Sequence, residues 1–154
     1  MIVLDAQERV LLFRIREPSY PEEGTCWELP GGGIDNEETY VTAALRELRE
    51  ETGIIAEPTQ VGRPVWSRRA TFRHAGERRL QNEVVVIIRL DDSRPEIDET
   101  EQLADEKETY CGFLWWSVHE IEASAERFYP GSLQKYVRRA LEGERIEEPF
   151  EYFS

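Results

Sequence analysis

Three glutamates, Glu47, Glu50 and Glu51, are spaced so that a helix would gather them on one face. With Glu47 at 0° and about 100° per residue, Glu50 falls near 300° and Glu51 near 40°. The three carboxylates then share an arc of about 100°. Leu48, Val41 and Leu45 fall near 100°, 120° and 160°, which predicts a core-facing stripe beside that arc. Ala43 lies within the acidic arc and Ala44 between arc and stripe, both small enough to leave space. Like charges at these spacings each cost about 0.2–0.5 kcal/mol, and partial burial adds to the penalty. Arg46 and Arg49 offset part of it. The residual charge suits a hard divalent cation, Mg²⁺ or Mn²⁺, which takes oxygen ligands and shares them with substrate phosphates. By itself such a triplet is more often a solvated acidic face, so its surroundings decide.

Those surroundings are well punctuated. Helical periodicity runs from Asn36 to Thr52. Asp35 is predicted as the N-cap with Glu38 completing a capping box, and Gly53 as the stop that tolerates positive φ. Upstream, Pro30-Gly31-Gly32-Gly33 forms a turn whose missing side chains let backbone approach a phosphate or a metal closely.

From Gly32 there are five residues to Glu38, seven to Arg46-Glu47-Leu48, one to Glu50-Glu51 and one to Gly53-Ile54. This resembles the Nudix box, G-x5-E-x7-R-E-U-x-E-E-x-G-U with U a bulky aliphatic, without a departure from Gly32 to Ile54. Trp27-Glu28-Leu29-Pro30 and Trp115-Trp116-Ser117-Val118-His119-Glu120-Ile121 also resemble the family, so the likeness spans most of the chain. It implies an α/β fold, an α/β/α sandwich with a mixed sheet, and Mg²⁺-dependent hydrolysis of a diphosphate bond in a nucleoside diphosphate linked to another group. Glu47, Glu50 and Glu51 would hold the metal with the Gly31 carbonyl, Arg46 would orient the carboxylates, and Glu38 would support the loop–helix junction. The proton acceptor is left open by the resemblance: Glu47 or Glu51 within the box, Glu106 or Glu108 before the Trp115-Trp116 strand, or Glu83.

Substrate identity is less legible. Arg63–Arg79 carries six arginines against one acid, a local +5 in a chain of net charge −13. Arg68 and Arg69 are candidates to clamp phosphate, since Arg contacts phosphate oxygens bidentately. Alternation places Trp66, Arg68, Ala70 and Phe72 on one strand face, and Ser67, Arg69, Thr71 and Arg73 on the other. If the first face lines the pocket, Trp66 or Phe72 could stack a base, although a core aromatic is the commoner role. Markers known for family members acting on ADP-ribose or diadenosine polyphosphates are absent: Arg68-Arg69 stand where a proline is usual, and Phe72 near a usual tyrosine.

The 154 residues suit one domain, expected over 1–154. Two cysteines, Cys26 and Cys111, are too few for a disulfide scaffold and are expected as buried thiols. No basic leader precedes Ile2-Val3-Leu4, and the longest aliphatic run, Val84–Ile88, is far short of a membrane span. A cytoplasmic protein without a membrane partner is expected. Net −13 argues against nucleic-acid polymers as partners and leaves a small nucleotide diphosphate as substrate. A second class, a non-catalytic Nudix-fold nucleotide sensor, is disfavoured because no box carboxylate is missing. Strands are expected at Ile2–Leu4, Val10–Ile15, Thr25–Leu29, Val61–Phe72, Leu80–Leu90 and Phe113–Val118. A loop is expected over Asp91–Lys107, a short helix at His119–Ala125 and a terminal helix from Leu133. If the strand at Ile2–Leu4 leaves an open edge, a partner subunit could cover it and make a homodimer.

Overall fold

The computed structural model describes residues 1–16, 21–74 and 77–152, and the side chains at 72–74, 105–106 and 151–152 fall outside that description. Alternating apolar residues build a six-stranded sheet. It contains β1 (Ile2–Leu4), β2 (Val10–Arg16), β3 (Thr25–Glu28), β6 (Ile87–Arg89), β7 (Tyr110–Trp116) and β8 (Phe128–Tyr129). Its order is β6-β1-β2-β3-β8, with β7 paired along β2. The β1–β6 and β3–β8 pairs are parallel and the others antiparallel, so the sheet is mixed. Both edges of β1 are occupied, by β2 and β6, which removes the open edge on which a homodimer was expected.

A second sheet carries the long antiparallel hairpin of β4 (Trp66–His74) and β5 (Glu77–Val85), with Trp66 opposite Val85 and His74 opposite Glu77. Two short strands, β9 (Ile146–Glu147) and β10 (Glu151–Tyr152), lie parallel to β4. The chain passes from β5 through Val86 directly into β6, joining the two sheets. The aliphatic run is therefore divided: Val85–Ile88 are buried, while Val84 is 47% exposed.

Helices cover both faces of this framework. They are α1 (Tyr40–Thr52), α2 (Ala104–Thr109), α3 (Val118–Ala123) and α4 (Leu133–Leu141). Ile2, Leu4, Val10, Leu12, Val85 and Ile87 pack in one core with Ile121 of α3 and Leu133, Val137 and Ala140 of α4. Their neighbours in sequence, Val3, Leu11, Phe13, Val86 and Ile88, pack in a second core with Ala44 and Leu48 of α1. Period-two alternation thus feeds two apolar layers, giving the expected α/β/α sandwich. The segment expected as loop over Asp91–Lys107 runs into α2 at its end. Cys26 is half-buried, its thiol pushed up to about 12 by burial and by Glu28, whereas Cys111 is exposed, against the expectation of two buried thiols.

Candidate active site

The cap that starts α1 is Thr39, not Asp35. Thr39 Oγ1 accepts from Thr42 N at 3.2 Å, and Thr42 Oγ1 accepts from Thr39 N at 2.9 Å. Asp35 and Glu38 instead close a preceding turn, with Glu38 N donating to Asp35 O (3.1 Å) and Asp35 N to Glu38 Oε2 (3.0 Å). Both pairs have the i, i+3 spacing of a capping box, and the pattern cannot tell a helix start from an isolated turn one turn earlier. At the other end Gly53 (φ 71°) donates to Arg49 O, as expected of a left-handed stop.

Between these ends α1 buries Ala43, Ala44, Glu47, Leu48, Glu51 and Thr52. Val41 and Leu45 are only half-buried, so the inward face is rotated from the predicted stripe toward the carboxylates. Glu47 and Glu51 are each 8% exposed, and the Glu50 side chain retains 27%. Two buried carboxylates one turn apart need compensation, and besides the buried Met1 ammonium, whose charge acts on Glu51 and Glu47, two sources supply it.

The first is Arg46. Its Nε and Nη2 donate to the two oxygens of Glu38 at 2.9 and 3.0 Å. Its Nη1 donates to Glu47 Oε1 (2.8 Å) and Glu50 Oε2 (3.1 Å), and Nη2 also reaches Gly33 O (2.8 Å). One guanidinium therefore ties the glycine turn, the pre-helical turn and two box carboxylates together. It holds the Glu38 carboxyl at about 2, and these partners push Arg46 itself further up. The second source is backbone: Gly31 N donates to Glu51 Oε2 at 2.8 Å. Gly32 lies directly beneath Glu47, where a Cβ would come within 2.2 Å of Oε1. Gly32 is needed for a close approach, and what approaches it here is a carboxylate.

A cleft of about 60 Å³ opens beside this cluster, lined by Gly32, Tyr40, Ala43, Ala44, Glu47 and Val84 among others. A larger hollow of about 890 Å³ sits by the C-terminal end of α1, where Asp98 N donates to Thr52 O and Gln102 Nε2 to Glu51 O. Its lining includes Glu96, Asp98 and Glu99.

The other expected residues are distributed differently. Arg68 and Arg69, adjacent in sequence, point to opposite faces of β4. The Arg68 side chain is fully buried, with Nη1 3.1 Å from Glu83 Oε2 and Nε 3.4 Å from Glu148 Oε2. It also lies over the Tyr129 ring at 4.9 Å, and Tyr129 Oη donates to Glu83 Oε1 at 2.6 Å. Glu83 is thus held by Arg68 and Tyr129, and its charge acts on the Met1 ammonium together with those of Glu51 and Glu47. Tyr129 and Glu148 were not foreseen there, because nothing in their local spacing marks them. Trp66 packs edge-on against Tyr136 and donates to Glu148, a core residue and not a stacking platform. Phe72 stands opposite Arg79 in the hairpin; its side chain, like that of Glu106, lies outside the described residues. Arg69 is exposed. Glu108 is exposed on α2 and makes no ion pair with the box among the described residues.

The donor set at the box is all oxygen, which fits a hard divalent cation. Among the described residues no three acidic or imidazole side chains are already arranged to hold one, because Glu47 and Glu50 turn to Arg46, and Glu51 to Gly31 N.

Fold and site together define a Nudix protein: the chain belongs to the NUDIX domain family, whose model matches residues 1–137. It is 30% identical over 129 residues to an RNA pyrophosphohydrolase of Rhizobium meliloti, covering 80% of this chain and 72% of that one. It is 32% identical over 120 residues to an RNA pyrophosphohydrolase of Stenotrophomonas maltophilia, covering 70% and 57%. Matched stretches cover from 26% to 72% of the lengths of such relatives. The fold is similar to that of a MutT protein from Bacillus halodurans, with a TM-score of 0.62, 19% identity and coverage of 98% and 86%. Among the described residues no helix is long and apolar enough to cross a membrane.

Proposed function

We propose that the chain is a Mg²⁺-dependent pyrophosphohydrolase that cleaves a diphosphate bond in a nucleotide. The observation that carries this is the convergence of Glu47, Glu50 and Glu51 on one face of α1, against the glycine turn, with Arg46 holding two of the three. Glu47, Glu50, Glu51 and the Gly31 carbonyl would hold the ion. When bound, it neutralises the polyphosphate and lowers the pKa of water at the reacting phosphorus. Arg46 positions the carboxylates through Glu38 and Gly33, and the glycine turn leaves the phosphates room beside the backbone.

Glu47, which lines the cleft, is the acid best placed to accept the proton from the attacking water. Glu108, the candidate outside the box, is exposed on α2, and Glu83 is engaged by Arg68 and Tyr129. Turnover in Glu108→Gln is therefore expected to stay near wild type, whereas Glu47→Gln is expected to lose about 10²-fold or more in kcat. Equal losses in both variants would move the base out of the box.

The relatives named RNA pyrophosphohydrolase bring the triphosphorylated 5′ end of RNA among the candidate substrates, beside small nucleotides. The test is phosphate and pyrophosphate release with Mg²⁺ from a panel: ADP-ribose, other nucleotide sugars, diadenosine polyphosphates, normal and oxidised nucleoside triphosphates, and 5′-triphosphorylated RNA. Turnover of one class supports the reading. Binding of panel members without turnover would replace it with a nucleotide sensor.

A further inference from the structure

The hairpin register separates the arginines of Arg63–Arg79 by face. Ser67 stands opposite Val84, Arg69 opposite Asn82, Thr71 opposite Leu80 and Arg73 opposite Arg78. Directly opposed residues share a sheet face, so Arg69, Asn82, Leu80 and Arg78 lie on the same face as Val84. Val84 is a wall of the cleft that also contains Glu47 and Gly32. This face of the hairpin is therefore a continuation of the carboxylate site. At about 3.3 Å per residue, the Arg69–Asn82 pair lies ~7 Å from Val84 along the strand and Arg78 ~20 Å.

Three features give the strip its chemistry. Arg69 and Arg78 are exposed, and Arg69 has no ion-pair partner among the described residues, while Arg78 Nη1 donates to Thr71 Oγ1 at 3.1 Å. Leu80 and Val84, 56% and 47% exposed, set apolar side chains between the cations. The hollow at the opposite end of α1 is walled by Glu96, Asp98 and Glu99, which repel a polyanion. A phosphate chain leaving the carboxylate site thus meets favourable charge on the hairpin side and unfavourable charge on the other. A mononucleotide does not span ~20 Å, whereas a short oligonucleotide does.

We infer that the β4–β5 face bearing Arg69, Asn82, Leu80 and Arg78 is a track for single-stranded RNA, guiding its triphosphorylated 5′ end into the Nudix site. The inference rests on the pyrophosphohydrolase reading for its chemistry and names the substrate's body. Phosphodiesters pair with the two arginines, and bases lie against Leu80 and Val84. RNA is chosen over DNA because a strand begun de novo carries the 5′ triphosphate.

The test pairs binding with turnover. Fluorescence anisotropy with 3′-labelled, 5′-triphosphorylated RNAs of one to six nucleotides, on the Glu50→Gln protein with Mg²⁺, reads the track. Release of pyrophosphate from the same RNAs by the otherwise wild-type protein reads the chemistry. Affinity is expected to rise about tenfold or more from one to six nucleotides. The log–log salt slope for the six-mer is expected to fall by about 0.7 in Glu50→Gln/Arg78→Ala, one backbone phosphate's share. Arg78→Lys should keep most of the length dependence, and Arg78→Ala should lose the part contributed by the longest RNAs, which alone reach it. Affinity independent of length, or length dependence untouched by Arg78→Ala, overturns the track even if every RNA is hydrolysed. Length-dependent, Arg78-dependent binding without hydrolysis by the wild type keeps the track and overturns the hydrolase reading. Equal affinity for the same six-mer bearing a 5′ hydroxyl overturns the placement of the triphosphorylated end in the Nudix site.

Discussion

Arg46 shows how one side chain can be read twice. In the sequence it is a cation beside three acids; in the fold it is a clamp whose fixed fork reaches Glu38, Glu47, Glu50 and Gly33 O together. Its pairing with Glu38 has a pH signature. The hydrogen bonds from Arg46 lower the Glu38 pKa to about 2 from an unfolded value of about 4.5, so the pair stabilises the native state. That contribution is fully present above about pH 4.5 and is lost as pH falls toward 2. The stability difference between wild type and Glu38→Gln in urea unfolding is therefore expected to shrink across that window, and a constant difference would refute it. Gly32 supports a second prediction at this scale. In Gly32→Ala the new Cβ meets only the end of a flexible glutamate, so stability should change by about 0.5 kcal/mol or less. Displacing the Glu47 carboxylate should nevertheless weaken Mg²⁺ binding, measurable by calorimetry. Unaltered Mg²⁺ affinity would show that the Gly32–Glu47 approach is incidental.

The ends of α1 are where local pattern and tertiary structure part. Glu47, Glu50, Glu51 and Gly53 were legible because helix geometry and a fixed spacing constrain them. The start was not, since Asp35–Glu38 and Thr39–Thr42 both present polar side chains three residues apart, and only hydrogen-bond geometry distinguishes them. Thr39→Ala is accordingly expected to cost about 1 kcal/mol, with Asp35→Ala costing less in the same denaturation assay. The reverse order would return the cap to Asp35. The hairpin was legible as paired strands with alternating faces. Which face turned inward was legible only in part, because Trp66, Ala70 and Phe72 favour burying one face while Arg68 among them argues against it. The choice depends on partners distant in sequence: Tyr136, Glu148 and Tyr129. Those contacts also explain why Arg68 is interior while Arg69 meets solvent.

Across the whole molecule, a charge of −13 coexists with a basic hairpin, and the distribution matters more than the sum. The composition argument against polymers speaks for the surface as an average, whereas the proposed track concerns the one face that continues the cleft. Acidity concentrated at the box has a thermal consequence. A bound divalent ion stabilises only the folded state, by about 2.7 kcal/mol at a hundredfold excess over its Kd. The wild-type Tm should rise with Mg²⁺ and fall back with chelator, a response expected to be much weaker in Glu50→Gln. The same substitution gives the most direct test of the central claim that the α1 carboxylates hold the ion for hydrolysis. Turnover at saturating Mg²⁺ should be measured for wild type and Glu50→Gln on whichever panel substrate the wild type cleaves. A loss well over tenfold, with the fold retained, is the predicted result. Equal turnover in the two proteins would contradict the account and place the chemistry away from α1.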